Sequence, residues 1–169
     1  INKNQSASIN NRRSAFVIGH PIEHSKSPLI HNYWLNSLGI DGNYSAVDVH
    51  PDNLREFISG LMEDNSPYLG GNITIPHKEQ AFLYVHNIDD IARKIGSINT
   101  IYIKDGDLHA TNTDAFGFIE NLDAHDSGWR KGKIAVVLGA GGASRAILYA
   151  LQQLHFETIY LVNRTIDRA

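Results

Sequence analysis

Gly70-Gly71-Asn72-Ile73-Thr74-Ile75-Pro76-His77-Lys78 is the stretch on which the reading of this chain turns. Ile73 and Ile75 alternate with Asn72 and Thr74, the period-two pattern of a half-buried strand. Pro76 has no N–H for a sheet ladder yet suits the first turn of a helix, so the strand is expected to stop there and a helix to begin. Lys78 then falls in that helix's opening turn, where the backbone carries partial positive charge. An ammonium is disfavoured there unless a carboxylate answers it, which makes Lys78 a candidate for proton exchange. The plainer alternative is a solvated lysine on an ordinary strand-to-helix connection.

Upstream, Ala15-Phe16-Val17-Ile18-Gly19 reads as a short buried strand ended by glycine. The loop that follows contains His24-Ser25-Lys26-Ser27-Pro28. Ser27 before Pro28 is a helix-start signal, with serine as N-cap and proline at the first helical position. Ile30, Trp34, Leu35 and Leu38 recur at helical spacing until Gly39. Two hydroxyls, Ser25 and Ser27, beside a helix N-terminus would seat a carboxylate, although capping alone also accounts for Ser27. His20, His24 and His31 are close in sequence but not spaced as zinc ligands, so no metal is expected.

Tyr44 to Val49 reads as a second strand, and Pro51 to Met62 as an amphipathic helix with Leu54, Phe57, Ile58 and Leu61 on one face. Strands alternating with helices argue for an α/β fold with a mostly parallel sheet, whose ligands gather at the carboxyl ends of the strands. Asn72, Thr74 and Lys78 lie at one such end and the serine loop follows another. Two short helices are expected near His77 to Val85 and around Asp89 to Lys94. Ile101 to Ile103 and Asp107 to Thr111 then form a hairpin turned by Asp105-Gly106. Thr113 or Asp114 is a plausible N-cap for a helix marked by Ala115, Phe118, Ile119 and Leu122; Asp114 is also the acid that could answer Lys78.

Asp126, Gly128 and Gly132 break the pattern, which divides the chain into a polar tail over residues 1–14, a domain over 15–125 and a second domain starting at 126. Ile134-Ala135-Val136-Val137-Leu138 reads as a buried strand. Gly139-Ala140-Gly141-Gly142-Ala143-Ser144 follows, then a helix faced by Ala143, Ala146, Ile147, Ala150, Leu151 and Leu154, and a strand over Thr158 to Val162. This is the first β-α-β unit of a dinucleotide-binding Rossmann fold. An NAD site would place an acid at the end of the second strand. Here stand Asn163-Arg164-Thr165 and Arg168, whose guanidinium groups suit a 2′-phosphate and so favour NADP, with solvated arginines as the alternative.

The 169 residues, 42% hydrophobic and 20% charged, describe a globular chain. A formal charge of -3 without a basic run gives no reason for a nucleic-acid partner, and no stretch is apolar enough to span a bilayer. No signal peptide is visible, and the absence of cysteine is in keeping with a cytoplasmic protein.

Five separated motifs resemble the shikimate dehydrogenase family. Asn72-Ile73-Thr74-Ile75-Pro76-His77-Lys78 looks like its signature, in which the lysine is catalytic. The Pro21-Ile22, His24-Ser25-x-Ser27-Pro28 loop is similar to the one whose serines hold the substrate carboxylate. Gly96-x-Ile98-Asn99-Thr100 matches the segment that supplies a substrate-binding asparagine, with Ser97 where alanine is common. Asn112-Thr113-Asp114 matches the segment with the catalytic aspartate, and Asn163-Arg164-Thr165 the motif for the adenosine 2′-phosphate.

The resemblance implies reversible reduction of 3-dehydroshikimate to shikimate by NADPH, on the way to chorismate and the aromatic amino acids. Lys78 and Asp114 would be the catalytic pair, Ser25, Ser27, Thr74 and Asn99 the substrate ligands. Gly139, Ala140, Gly141, Gly142, Ala143, Asn163, Arg164, Thr165 and Arg168 would bind the cofactor. A homodimer is compatible with this. The chain ends at Ala169 with barely one mononucleotide half, whereas the family continues further. It is therefore expected to lack the C-terminal part, to expose an apolar sheet edge and, alone, to bind NADP poorly. The alternatives are an NAD-using quinate/shikimate dehydrogenase and a non-catalytic shikimate-sensing module or inactive fragment.

Overall fold

The structure is a computed structural model that describes residues 14–126 and 128–168, apart from the Arg168 side chain. The expected tail over 1–14 falls outside the described residues except for Ser14, which already belongs to the first strand. Strand β1 (Ser14–Gly19) leads through the serine loop to helix α1 (Ser27–Ser37), then β2 (Asn43–Asp48) and α2 (Leu54–Gly60), which a 3-10 turn introduces. Next come β3 (Tyr68–Ile73), the one-turn helix α3 (Lys78–Ala81), β4 (Asn87–Ile88) and α4 (Asp90–Ile95). The hairpin β5 (Thr100–Lys104) and β6 (Asp107–Thr111) is followed by α5 (Asp114–His125). A second unit holds β7 (Ile134–Leu138), α6 (Gly142–Gln153) and β8 (Thr158–Val162).

The first sheet runs in the order β2-β1-β3-β5-β6-β4 and the second contains β7-β8. β1 pairs in parallel with β2 and β3, and β4 with β6, as the expected mostly parallel sheet requires, while β3-β5 and β5-β6 are antiparallel. The cause is the hairpin: Asp105 and Gly106 both take positive φ, 54° and 87°, and return the chain at once. This reversal has a functional consequence. Because β5 starts and β6 ends where β3 stops, Asn99 and the Asn112–Asp114 segment emerge at the same rim as Thr74 and the serine loop.

Phe16 and Ile18 on one face of β1 join Leu54, Ile58, Leu61, Ile73, Ile98 and Ile101 in the main core, while Val17 points to the other face with Ile22 and Tyr44. The face expected for α2 is observed. That of α1 is different: none of its residues is buried, and Trp34 and Leu38 with Ile40, Tyr44 and Tyr102 line an apolar groove of about 390 Å³ over the sheet. Strand β7, expected to be buried, has Ile134, Val136 and Leu138 exposed and only Val137 buried, because among the described residues nothing covers its second face.

Two glycines let β3 run through the sheet centre. Gly70 has φ +152°, and a Cβ there would collide with the Ile101 carbonyl of the neighbouring strand. Gly70→Ala is therefore expected to destabilise the fold by about 3 kcal/mol or more, through strain and overpacking together. A urea unfolding midpoint equal to that of the parent would contradict this.

Candidate active site

The turn after β3 brings Lys78 to the sheet rim. The strand ends at Ile73, which is 1% exposed, whereas Ile75 is 70% exposed and lies outside the ladder. Pro76, preceded by a cis peptide, sits in the turn before α3 rather than inside it, and His77 flanks the helix, so Lys78 is its first residue. The helical opening turn is as expected; Pro76 itself lies two residues before the helix rather than at its first position. His77 is fully buried, and burial pushes its imidazole below the ordinary histidine range. Its Nε2 meets the Val49 carbonyl at 2.7 Å, which requires the proton on Nε2 and ties the turn to the end of β2.

Lys78 Nζ donates to Asp114 Oδ2 at 2.5 Å, joining residues 36 apart in sequence. The side chains are 13% and 25% exposed, so the pair is largely withdrawn from water yet reachable from it. Asp114 is the first residue of α5 and does not cap it; the Asp114 N–H is instead answered by Asn112 Oδ1 at 3.0 Å. Its carboxylate is thus left for Lys78 and for Asn99 Nδ2, which donates to Oδ1 at 2.8 Å.

The Asn99 amide has one orientation that satisfies its neighbours. Its Oδ1 accepts from Thr100 Oγ1 at 2.8 Å and from the Thr113 N–H at 3.0 Å, which leaves Nδ2 for Thr113 Oγ1 and Asp114. Behind Thr100 the chain continues: Asn72 Nδ2 donates to Thr100 Oγ1 at 3.1 Å, and Tyr44 donates its hydroxyl to Asn72 Oδ1 at 2.6 Å. Burial pushes the Tyr44 phenol above its ordinary range, so it stays a neutral donor. A continuous hydrogen-bonded chain therefore runs from Tyr44 through Asn72, Thr100 and Asn99 to Asp114, which also accepts from Lys78. Tyr44 and Thr100 were not singled out from the sequence. The available signal was a polar residue, Asn72, in a strand otherwise headed for the core, since such a group needs buried partners.

The serine loop and Thr74 leave the same rim of the sheet as this pair. Thr74 N–H bonds to the Ile18 carbonyl at 2.8 Å, and His20 N–H to the Ile75 carbonyl at 3.1 Å, so the start of the loop is tied to the turn that carries Lys78. The helix-start reading of Ser27 needs correction. Helix α1 begins at Ser27 itself, whose hydroxyl makes no cap bond, and Ser25 Oγ accepts from the Ser27 N–H at 3.3 Å. Among the clustered histidines, His20 pairs with Asp48 at 3.0 Å, and His31 stacks on Tyr44 with centroids 4.0 Å apart.

At the second sheet, parallel β7 and β8 flank α6 in the expected β-α-β order. Gly139 has φ +100°, a Cβ on Gly141 would meet nothing within 4 Å, and the first-turn N–H groups of α6 receive no side-chain cap. Open backbone at a helix N-terminus fits a pyrophosphate. At the end of β8, Asn163 Nδ2 bonds the Thr165 carbonyl at 2.7 Å, and Arg164 is exposed beside that turn. The side chain of Arg168 lies outside the described residues.

Comparison with known proteins decides the family. The family model described as "Shikimate dehydrogenase substrate binding domain" matches residues 17–101, just over half of the chain. The chain belongs to the shikimate dehydrogenase family. It is 49% identical over 156 residues to the "Shikimate dehydrogenase (NADP(+))" of Rhizobium rhizogenes, covering 92% of this chain and 54% of that protein. It is 52% identical over 157 residues to the protein of the same name from Mesorhizobium japonicum, covering 93% and 55%. The chain thus spans about half the length of the curated shikimate dehydrogenases it matches. A crystal structure of the shikimate 5-dehydrogenase of Thermus thermophilus in complex with NADP(H) and shikimate superimposes with a TM-score of 0.82. That match has 39% identity over 93% of this chain and 58% of the other.

Proposed function

We propose that the protein carrying this chain is an NADP-dependent shikimate dehydrogenase that reversibly reduces 3-dehydroshikimate to shikimate. Residues 15–125 would form its substrate-binding catalytic domain and 126–169 the start of its dinucleotide domain. The observation that carries this reading is the largely buried Lys78–Asp114 pair, with the Asn99 amide fixed toward the carboxylate at the sheet rim.

A bound nicotinamide supplies or takes the hydride; the chain's own residues bind, orient and handle the proton. Ser25 and Ser27 hold the substrate carboxylate, while Thr74 and Asn99 orient its hydroxyls. In the reducing direction Lys78 stabilises the alkoxide forming at C3 and gives it a proton, and Asp114 holds both the substrate hydroxyl and the ammonium. Gly139, Ala140, Gly141, Gly142 and Ala143 would take the pyrophosphate, and Asn163, Arg164, Thr165 and Arg168 the 2′-phosphate. The residues present fit NADP better than NAD, because an arginine and no acid follows β8 directly. Among the described residues no helix is long and apolar enough to cross a membrane. A cytoplasmic location belongs to the same proposal.

The test is an absorbance assay on the full-length protein, with shikimate or quinate against NADP+ or NAD+. Shikimate with NADP+ is expected to give the highest kcat/KM of the four combinations. A preference for NAD+ or quinate would favour the quinate/shikimate alternative, and shikimate binding without any turnover would favour a sensing module.

A further inference from the structure

Ser97 is fully buried in the loop between α4 and β5, where the two units meet, and its hydroxyl has one use for its proton. Ser97 Oγ accepts from Asn112 Nδ2 at 3.1 Å, so the hydroxyl hydrogen is left to donate to the Gly142 carbonyl at 3.3 Å. Each partner belongs to a different part of the proposed site. Asn112, 3% exposed, also answers the Asp114 N–H, and the Ile98 N–H beside Ser97 bonds to the Lys78 carbonyl at 3.0 Å. Gly142 opens α6 directly after the glycine-rich turn, and a Cβ there would lie 3.0 Å from Lys78 Cβ. The nucleotide loop therefore touches the lysine segment at the point where Ser97 bonds it. Ile95 and Ala115 from the first unit pack with Ala146 and Ala150 of α6, and Arg145 pairs with Glu79 at 3.6 Å, which places the two elements side by side without setting the loop itself.

We propose that Ser97 is a positioning residue: its hydroxyl fastens the glycine-rich loop to the segments bearing Lys78 and Asp114, and so fixes the nucleotide end of the site relative to the proton-handling pair. The inference rests on the function proposed above and adds a specific fastening to it. An alanine at this position would keep the packing and lose the bond.

The test compares the full-length parent with Ser97→Ala, and with Ser97→Cys as a weaker donor of similar size should alanine fail to fold. Without ligand, backbone amide exchange over residues 141–146 is expected to quicken roughly threefold to tenfold in Ser97→Ala, with the strands of both sheets unchanged. In turnover, kcat is expected to fall by a similar factor while the Kd values of NADP+ and shikimate, each alone, stay within about twofold. Ser97→Cys should lie between. Unchanged exchange at 141–146, a uniform rise across both sheets, or altered exchange with kcat unmoved would each overturn the proposal. If the parent itself does not interconvert shikimate and 3-dehydroshikimate, the proposed function fails, and the exchange comparison still decides whether Ser97 fastens the loop.

Discussion

Lys78→Ala in the full-length protein is expected to lower kcat by roughly 10²- to 10⁴-fold, the usual worth of a positioned general acid or base, while shikimate affinity falls far less. The asymmetry follows from the geometry. Among the described residues Lys78 bonds through its side chain to Asp114 alone, and the segments assigned to the substrate carboxylate lie on a separate loop held by its own bonds, Ser25 N–H to the Ile22 carbonyl and Ser27 N–H to Ser25 Oγ. Removing the amine leaves Asp114 still bonded by Asn99 Nδ2, so the carboxylate keeps a partner and its place. An interaction made mainly in the transition state is lost, and kcat and kcat/KM fall together. Equal kcat in variant and parent would refute the assignment of Lys78.

Asp114→Asn is expected to lower kcat by at least about 10²-fold, by removing the charge that holds the ammonium and the atom that can share its proton. The substitution is isosteric, and Asn99 and Asn112 fix the start of α5 on either side, so the fold should survive. It leaves the largely buried ammonium without its counter-charge, and a lowered thermal midpoint should accompany the kinetic loss. Shikimate affinity is expected to change by less than about tenfold, since one hydroxyl contact is weakened rather than the carboxylate seat. A variant that keeps kcat within twofold would show that Asp114 merely starts a helix.

The elements around the candidate site were legible where their signals are local. Asp105-Gly106 announced a hairpin through the positive φ that few other pairs tolerate, and Gly139 announced a tight turn for the same reason. The position of Lys78 in a first helical turn followed from Pro76, although the proline itself sits just before the cap residue His77, outside the helix. What escaped depends on partners far away in sequence. The two-residue strand β4 has no periodicity of its own and exists only because β6 offers a ladder at His109 and Ala110. Ser27 carries the capping signature, yet the backbone at Lys26 is already helical, which moves the start and leaves the serine hydroxyl without a cap bond. Ser97, standing where alanine is common, carries no signal of its own in the sequence, because its hydroxyl finds a use only when the fold puts Gly142 against it. Apolar periodicity also could not say what covers it: the runs in α1 and β7 are helical and extended as expected, but their apolar side chains stay largely exposed in the described residues.

A crystal structure of the full-length protein with shikimate bound is the measurement that bears most directly on the account. It predicts the C3 hydroxyl within hydrogen-bonding distance, about 2.6–3.2 Å, of both Lys78 Nζ and an Asp114 carboxylate oxygen. Shikimate seated elsewhere, in the groove lined by Trp34 and Tyr44 for example, or bound with that hydroxyl out of reach of both groups, would contradict it.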